Sequence, residues 1–386
     1  MKVFLFIYIV SVVLVTSVTG RVTVNTCKHN FDYDTKHNNK NCWYNPDVDL
    51  SVPDVITRHK YPLEVYNVTT QDGYILQVFR IPRGKYNVNT TIKSRQPIFL
   101  QHGIFVSCSV YVINGNESIA FMLADNGYDV WLGNSRGSAY GKGHIKFSLN
   151  DDKYWNFSYH EMGIYDLPNT LDLVNNITGR NDVIYVGQSM GTNLPYVYAA
   201  DFPEHAKQRM KLIVNLAPTV FLVGLRTPSI IVTPFWQLIL SLSRKLRVNE
   251  LLPKSTALKS FSSAICLKSG YKVVLCETLL FLLFGFDYEY FKPELLPMLL
   301  GHIPAGSSLK TLVHLAQGVV TKEFAHYDHG TYLNMEYYNS TNPPIYNLSR
   351  LPRPYFVVVI RLVSEPVPLA VPVPRPAGVT IPGPIS

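Results

Sequence analysis

The apolar run Asp182-Val183-Ile184-Tyr185-Val186 passes without a spacer into Gly187-Gln188-Ser189-Met190-Gly191, and this junction constrains the fold more than any other stretch. A short continuous apolar run reads as a strand buried on both faces. Glycines on either side of one serine read as a sharp turn into the helix-compatible segment that follows. A serine presented in this way sits in a strained backbone conformation, and its neighbours must be small for strand and helix to approach. Ser189 is therefore the candidate nucleophile.

The junction belongs to a longer alternation. Strand-like runs occur at Tyr74–Ile81, Pro97–Gln101, Asp129–Leu132, Asp182–Val186, Lys211–Leu216 and Tyr355–Ile360. Ser118–Asn126 and Leu167–Thr178 carry apolar residues at helical spacing and end at Gly127 and Gly179. Short apolar strands alternating with helices predict an α/β fold around a mostly parallel sheet. After Ala217-Pro218 the alternation stops, and residues 219–320 carry dense apolar helical stretches such as Ile230–Leu242 and Val273–Phe286. These are too short to span a bilayer. They predict either a second helical layer or a cap whose apolar inner surface receives a lipid-like substrate. Nine of the 26 prolines fall in residues 351–386, where Val371–Pro376 is incompatible with a helix or a central strand.

Residues 1–20 are set apart from this core. Lys2, the apolar run Val3–Val15 and the compact residues Ser17-Val18-Thr19-Gly20 form a secretory signal pattern, with cleavage expected after Gly20. Seven sequons then become glycan candidates, at Asn67, Asn89, Asn116, Asn156, Asn176, Asn339 and Asn347. In an oxidising compartment Cys266 and Cys276 are close enough to close a small loop, as are Cys27 and Cys42, leaving Cys108 as a buried or reactive thiol. No cysteine or histidine cluster suggests a metal. The net charge of +8 is scattered, without a basic stripe interleaved with aromatics, so nucleic acid is excluded as a partner.

A serine hydroxyl needs a general base, usually a histidine held by a carboxylate, and donors aimed at the tetrahedral oxyanion. The donors can be placed. One is the N–H after the nucleophile, that of Met190. The strand Pro97–Gln101 runs into a His102-Gly103 turn, which assigns the second to the N–H of Ile104.

With these residues placed, the chain resembles the acid lipase family of α/β-hydrolases, the group of gastric and lysosomal acid lipases and their insect homologues. The stretches that carry the resemblance are Asp72–Leu76, Phe99–Gly103, Leu123–Gly137, Phe157-Ser158 with Glu161-Met162, Tyr165–Pro168, the elbow, Gly285–Asp287, and Tyr327-Asp328 through Leu348. The resemblance covers about residues 48–352. It implies the α/β-hydrolase fold with an inserted helical cap, and a secreted or lysosomal enzyme that hydrolyses neutral-lipid esters such as triacylglycerols or cholesteryl esters. It further implies transient contact with a lipid-droplet or membrane surface, no cofactor, and a cap disulfide that fits Cys266–Cys276. The expected organisation is a signal peptide at 1–20, an N-terminal segment at 21–50, core at 51–217, cap at 218–320, core again at 321–352, and a divergent proline-rich tail at 353–386, with the C-terminal part of the core incomplete.

The tail departs from the family pattern. Where the resemblance implies a catalytic aspartate the sequence has about Val367, with Glu365 the nearest acid, and the last histidine is His329. His102, His326 and His329 remain as substitutes for the missing base. Two readings stand side by side: a lipase whose C-terminus is altered by frameshift, missplicing or truncation, and a pseudo-lipase that binds lipid without turnover. A third, a peptidase or other acyl-transfer hydrolase, is permitted by the elbow, although the apolar cap points to long acyl chains.

Overall fold

The computed structural model describes residues 25–86, 95–222, 233–284, 291–350 and 356–360. The expected signal peptide, Asn89, the stretch Gly285–Asp287 and the tail positions 365 and 367 lie outside these residues. Near the N-terminus β1 (Asn25–Cys27) and β2 (Cys42–Tyr44) form an antiparallel ribbon joined by the Cys27–Cys42 disulfide. The central sheet is built from β3 (Glu64–Thr69), β4 (Tyr74–Ile81), β5 (Pro97–Gln101), β6 (Asp129–Gly133), β7 (Gly143–His144), β8 (Val183–Gln188), β9 (Met210–Leu216) and β12 (Phe356–Ile360). Its order is β12-β9-β8-β5-β6-β4-β3, with β7 on β4. The strands β12, β9, β8, β5 and β6 are parallel, and β4 turns the sheet antiparallel at β6.

The apolar runs follow from burial on both faces. In β5, Phe99 packs into one core with Trp131 and Tyr185, while Ile98 and Leu100 pack into the other with Val130, Leu132 and Val186. Helices cover both sides: Leu167–Thr178 and Asn193–Asp201 contribute to the first core, and Val52–Arg58 and Ile119–Asp125 to the second. Each fully buried side chain of this size contributes about 1.5–3 kcal/mol.

The strand expected at Asp182–Val186 spans Val183–Gln188 and so runs to the serine itself. β3 was not anticipated; its exposure alternates as an edge strand's does, and only Val68 is buried. The expected strand at Tyr355–Ile360 corresponds to β12, whose five residues pair with all of Leu212–Leu216, so the sheet continues past residue 352.

Among the described residues, the chain between β9 and β12 is mainly helical. It carries Trp236–Leu246, Thr256–Cys266, Gly270–Phe284, Leu295–His302, Leu309–Thr321 and Thr331–Tyr338, plus the two-residue ribbon of β10 (Glu250–Leu251) with β11 (Ser307–Ser308). The Cys266–Cys276 disulfide ties the second of these helices to the third. Among the described residues no helix is long and apolar enough to cross a membrane.

Candidate active site

Strand β8 ends on Gln188 and the chain turns through Ser189–Thr192 into the helix Asn193–Asp201. Ser189 takes a φ of +53°, a conformation that costs a non-glycine residue of order 1–3 kcal/mol unless its surroundings impose it. The surroundings do impose it. A Cβ on Gly191 would lie 2.5 Å from Gln101 O and 2.7 Å from His102 O, and one on Gly187 would lie 2.6 Å from Gly191 O. Only glycines let the turn close on β5. Tyr185 Oη donates to Gly191 O at 2.5 Å, and Thr192 Oγ1 donates to Ser189 O at 2.7 Å. The Met190 N–H lies in the first turn of a helical segment, where backbone dipoles favour negative charge.

The turn after β5 lies directly against the serine. Gly103 is so close that a Cβ there would be 2.9 Å from Ser189 Cβ and 3.3 Å from its Oγ. The Gly103 N–H donates to Gln188 Oε1 at 3.3 Å, linking this turn to the elbow. The N–H of Ile104, half-buried, has no acceptor among the described residues. This unpaired donor follows by one residue the close approach of Gly103 to Ser189.

His102 is buried and engaged at both ring nitrogens. Ser135 N–H donates to Nε2 at 3.1 Å, so the ring proton sits on Nδ1 and is donated to Gly103 O at 2.7 Å. Burial pulls its pKa down to about 4. Both nitrogens being committed, His102 is not a base for Ser189. The other two substitutes are no better placed. His326 stacks on Tyr346 at 4.3 Å and lies 4.7 Å from the His160 ring, and His329 stacks on Tyr337 at 4.5 Å. Burial brings each of them to about 4 as well. Among the described residues, which include all eleven histidines of the sequence, none hydrogen-bonds to Ser189 Oγ.

Behind His102 stands an ion cluster that sequence reasoning did not identify. Arg136 is 1% exposed, with Nη1 and Nη2 on Asp72 at 2.5 and 2.9 Å, Nε on Asp166 at 2.8 Å, and its guanidinium 3.9 Å from the centre of the Tyr74 ring. Its only signal in the sequence was its place in the stretch Leu123–Gly137. Gln188 was also missed, since its position inside the elbow gives no hint that its side chain reaches Gly103.

The remaining predicted positions are peripheral. Asn67, Asn116, Asn156, Asn176, Asn339 and Asn347 are exposed. Cys108 is buried and unpaired, with its thiol pushed up to about 12 by burial. It is therefore an inert thiol rather than a reactive one. Among the described residues no group of three or more histidines, cysteines or carboxylates is placed to hold a metal.

Comparison with known proteins agrees with this fold. The family description "Partial alpha/beta-hydrolase lipase region" matches residues 52–115, and "alpha/beta hydrolase fold" matches residues 96–237. Human lipase member K is 35% identical over 327 residues, covering 84% of this chain and 79% of its own. The lysosomal acid lipase/cholesteryl ester hydrolase of Macaca fascicularis is 37% identical, covering 79% of this chain and 75% of its own. The gastric triacylglycerol lipase of Bos taurus is 35% identical, covering 81% and 78%. Relatives this similar over this much of the chain, joined to a strained serine between β8 and its helix, leave one conclusion: the chain belongs to the acid lipase family of α/β-hydrolases.

Proposed function

We propose that the site is built to hydrolyse carboxylic esters of neutral lipids, triacylglycerols or cholesteryl esters, through an acyl-enzyme on Ser189. The observation that carries this reading is the pairing of Ser189, at φ +53°, with the free Ile104 N–H one residue from the Gly103 contact. The substrate class comes from the relatives, whose printed names are a triacylglycerol lipase and a cholesteryl ester hydrolase. Ser189 Oγ attacks the ester carbonyl carbon and the carbonyl electrons move to oxygen. The Ile104 and Met190 N–H groups hold that oxyanion, and its collapse expels the alcohol and leaves an acyl-serine that water hydrolyses.

The proton transfers set the rate. With no imidazole on Ser189 Oγ among the described residues, turnover of this sequence is predicted to fall about 10⁴–10⁶-fold below that of a serine–histidine pair. The helices of residues 218–320 act in this reading as a cap over the site. Two disulfides and six exposed sequon asparagines support passage through the secretory pathway to an extracellular or lysosomal destination. The test is hydrolysis of p-nitrophenyl octanoate and of a peptide p-nitroanilide by the chain and by Ser189→Ala. Slow serine-dependent release from the ester alone, about 10⁴–10⁶-fold below the rate of a serine–histidine pair, is expected. Release from the peptide in preference to the ester would contradict the lipid-ester assignment.

A further inference from the structure

We propose that His102 is a positioning residue that aims the Ile104 N–H at the oxyanion, by clamping the Gly103–Ile104 peptide to the turn that carries Ser135. This rests on the reading of Ile104 as an oxyanion donor. A glycine between an apolar strand and a loop leaves the peptides on both sides free to rotate. Here each is held. The N–H of Gly103 is held by Gln188 Oε1 at 3.3 Å, and its carbonyl by His102 Nδ1–H at 2.7 Å. In a trans peptide the carbonyl of Gly103 and the N–H of Ile104 lie in one plane and point in opposite directions. Fixing the carbonyl against the imidazole therefore fixes the N–H away from it.

The imidazole is itself fixed. Its Nε2 accepts from Ser135 N–H at 3.1 Å, which sets the tautomer and the ring plane. Ser135 is held in turn: its Oγ accepts from Gln101 Nε2 at 2.8 Å, and its carbonyl accepts from Ser138 Oγ at 2.7 Å. The next residue, Arg136, is locked between Asp72 and Asp166. A line of buried polar contacts thus runs from the ion cluster through Ser135 and His102 to one backbone donor. Gln188 serves the other peptide of Gly103 from the elbow side, so strand end and nucleophile turn keep a fixed separation.

The test uses three variants and one stoichiometric probe. His102→Gln can both donate to Gly103 O and accept from Ser135 N–H, whereas His102→Leu can do neither, and Gln188→Leu removes only the weaker tie. The probe is a p-nitrophenyl alkylphosphonate. Ser189 Oγ bonds to phosphorus, p-nitrophenolate leaves with the electron pair, and the serine proton passes to solvent. Saturation of the labelling rate separates binding from bond formation. For His102→Leu the maximal rate is expected to fall about 10²-fold with the half-saturating concentration unchanged, as for loss of one oxyanion donor. His102→Gln is expected to recover most of the rate, and Gln188→Leu to lose only a few-fold.

A ¹⁵N-histidine spectrum of the unsubstituted chain, assigned through the conservative His102→Gln variant, provides a readout independent of the labelling rate. The signal absent from His102→Gln is expected to be neutral with the proton on Nδ1. A proton on Nε2, or His102→Leu labelling at the unsubstituted rate, would overturn the clamp while leaving Ser189 as nucleophile. No labelling of Ser189 in the unsubstituted chain, at incubation times long enough to allow for an attack about 10⁴–10⁶-fold slower than that of a serine–histidine pair, would overturn the nucleophile reading, and the aim of Ile104 with it.

Discussion

The elbow and the helical layer between β9 and β12 are held together by different means. Around Ser189 the backbone is fixed by contacts that tolerate no added atom: Gly191 on the β5 carbonyls, Gly103 on the serine, and Tyr111 Oη donating to Gln101 O at 2.7 Å. In the helical layer buried polar ties, such as His302 Nε2 with Asp47 O at 2.8 Å and Ser308 Oγ donating to Phe157 O at 2.6 Å, stand beside apolar helix faces that are left exposed. Along Trp236–Leu246 and the turn before it, Phe235, Leu238, Leu242 and Leu246 are 44–57% exposed, and Tyr271, Leu275 and Leu279 are exposed on Gly270–Phe284. Buried polar contacts have one satisfactory geometry, whereas apolar helix surfaces pack acceptably in several. The elbow is thus fixed on every side, whereas in the helical layer the outer faces of Trp236–Leu246 and Gly270–Phe284 carry apolar side chains without such ties.

Four substitutions or conditions sharpen that contrast. Arg136→Met strands the buried Asp166 carboxylate against the core, with the partly exposed Asp72 beside it, and is expected to cost about 3–5 kcal/mol in denaturant unfolding. Leu100→Ala, in the sheet beneath the site, is expected to cost about 2–5 kcal/mol by leaving a cavity. Ser189→Gly should abolish phosphonate labelling yet stabilise the fold by about 1 kcal/mol, because glycine takes φ +53° without strain. Leu238→Ser with Leu242→Ser should change stability by less than about 0.5 kcal/mol each, while slowing attack on an emulsified ester more than on a dissolved one. A loss of several kcal/mol from the last pair would erase the contrast.

Acid provides an independent check. His102 and His326 titrate near 4 and His314 near 3 in the native chain, all lowered by burial, against about 6.5 when unfolded. Above that value both states are neutral. Between about 6.5 and 4 the unfolded chain binds protons that the native chain refuses, so stability is expected to fall as pH drops through this window. Asp166, raised to about 6 by burial, acts in the opposite direction, one group against three, so a thermal midpoint that does not fall from pH 7 to pH 4 would contradict this balance.

The parts of the fold that could be read from sequence were those written in local pattern. The strands β4, β5, β6 and β9 and the helix Leu167–Thr178 were visible because burial on both faces, or on one stripe, leaves a continuous or periodic apolar signature. Ser189 was visible because two close backbone approaches demand glycine on either side. What escaped reading depends on pairing across distance. Arg136 meets Asp72 and Asp166 from 64 and 30 residues away, and His102 meets Ser135 from 33. Such contacts leave no period in the sequence. β3 escaped for a different reason, since an edge strand with one buried residue has almost no apolar signature.

The central claim is that Ser189 is the nucleophile, and mapping the phosphonate adduct tests it most directly. The chain would be incubated with p-nitrophenyl alkylphosphonate beside its Ser189→Ala variant, digested, and the adduct located by mass spectrometry. One phosphonyl group per chain on the peptide containing Ser189, absent from the variant, is the predicted result. An adduct on another residue, or equal labelling of the Ser189→Ala variant, would contradict the account.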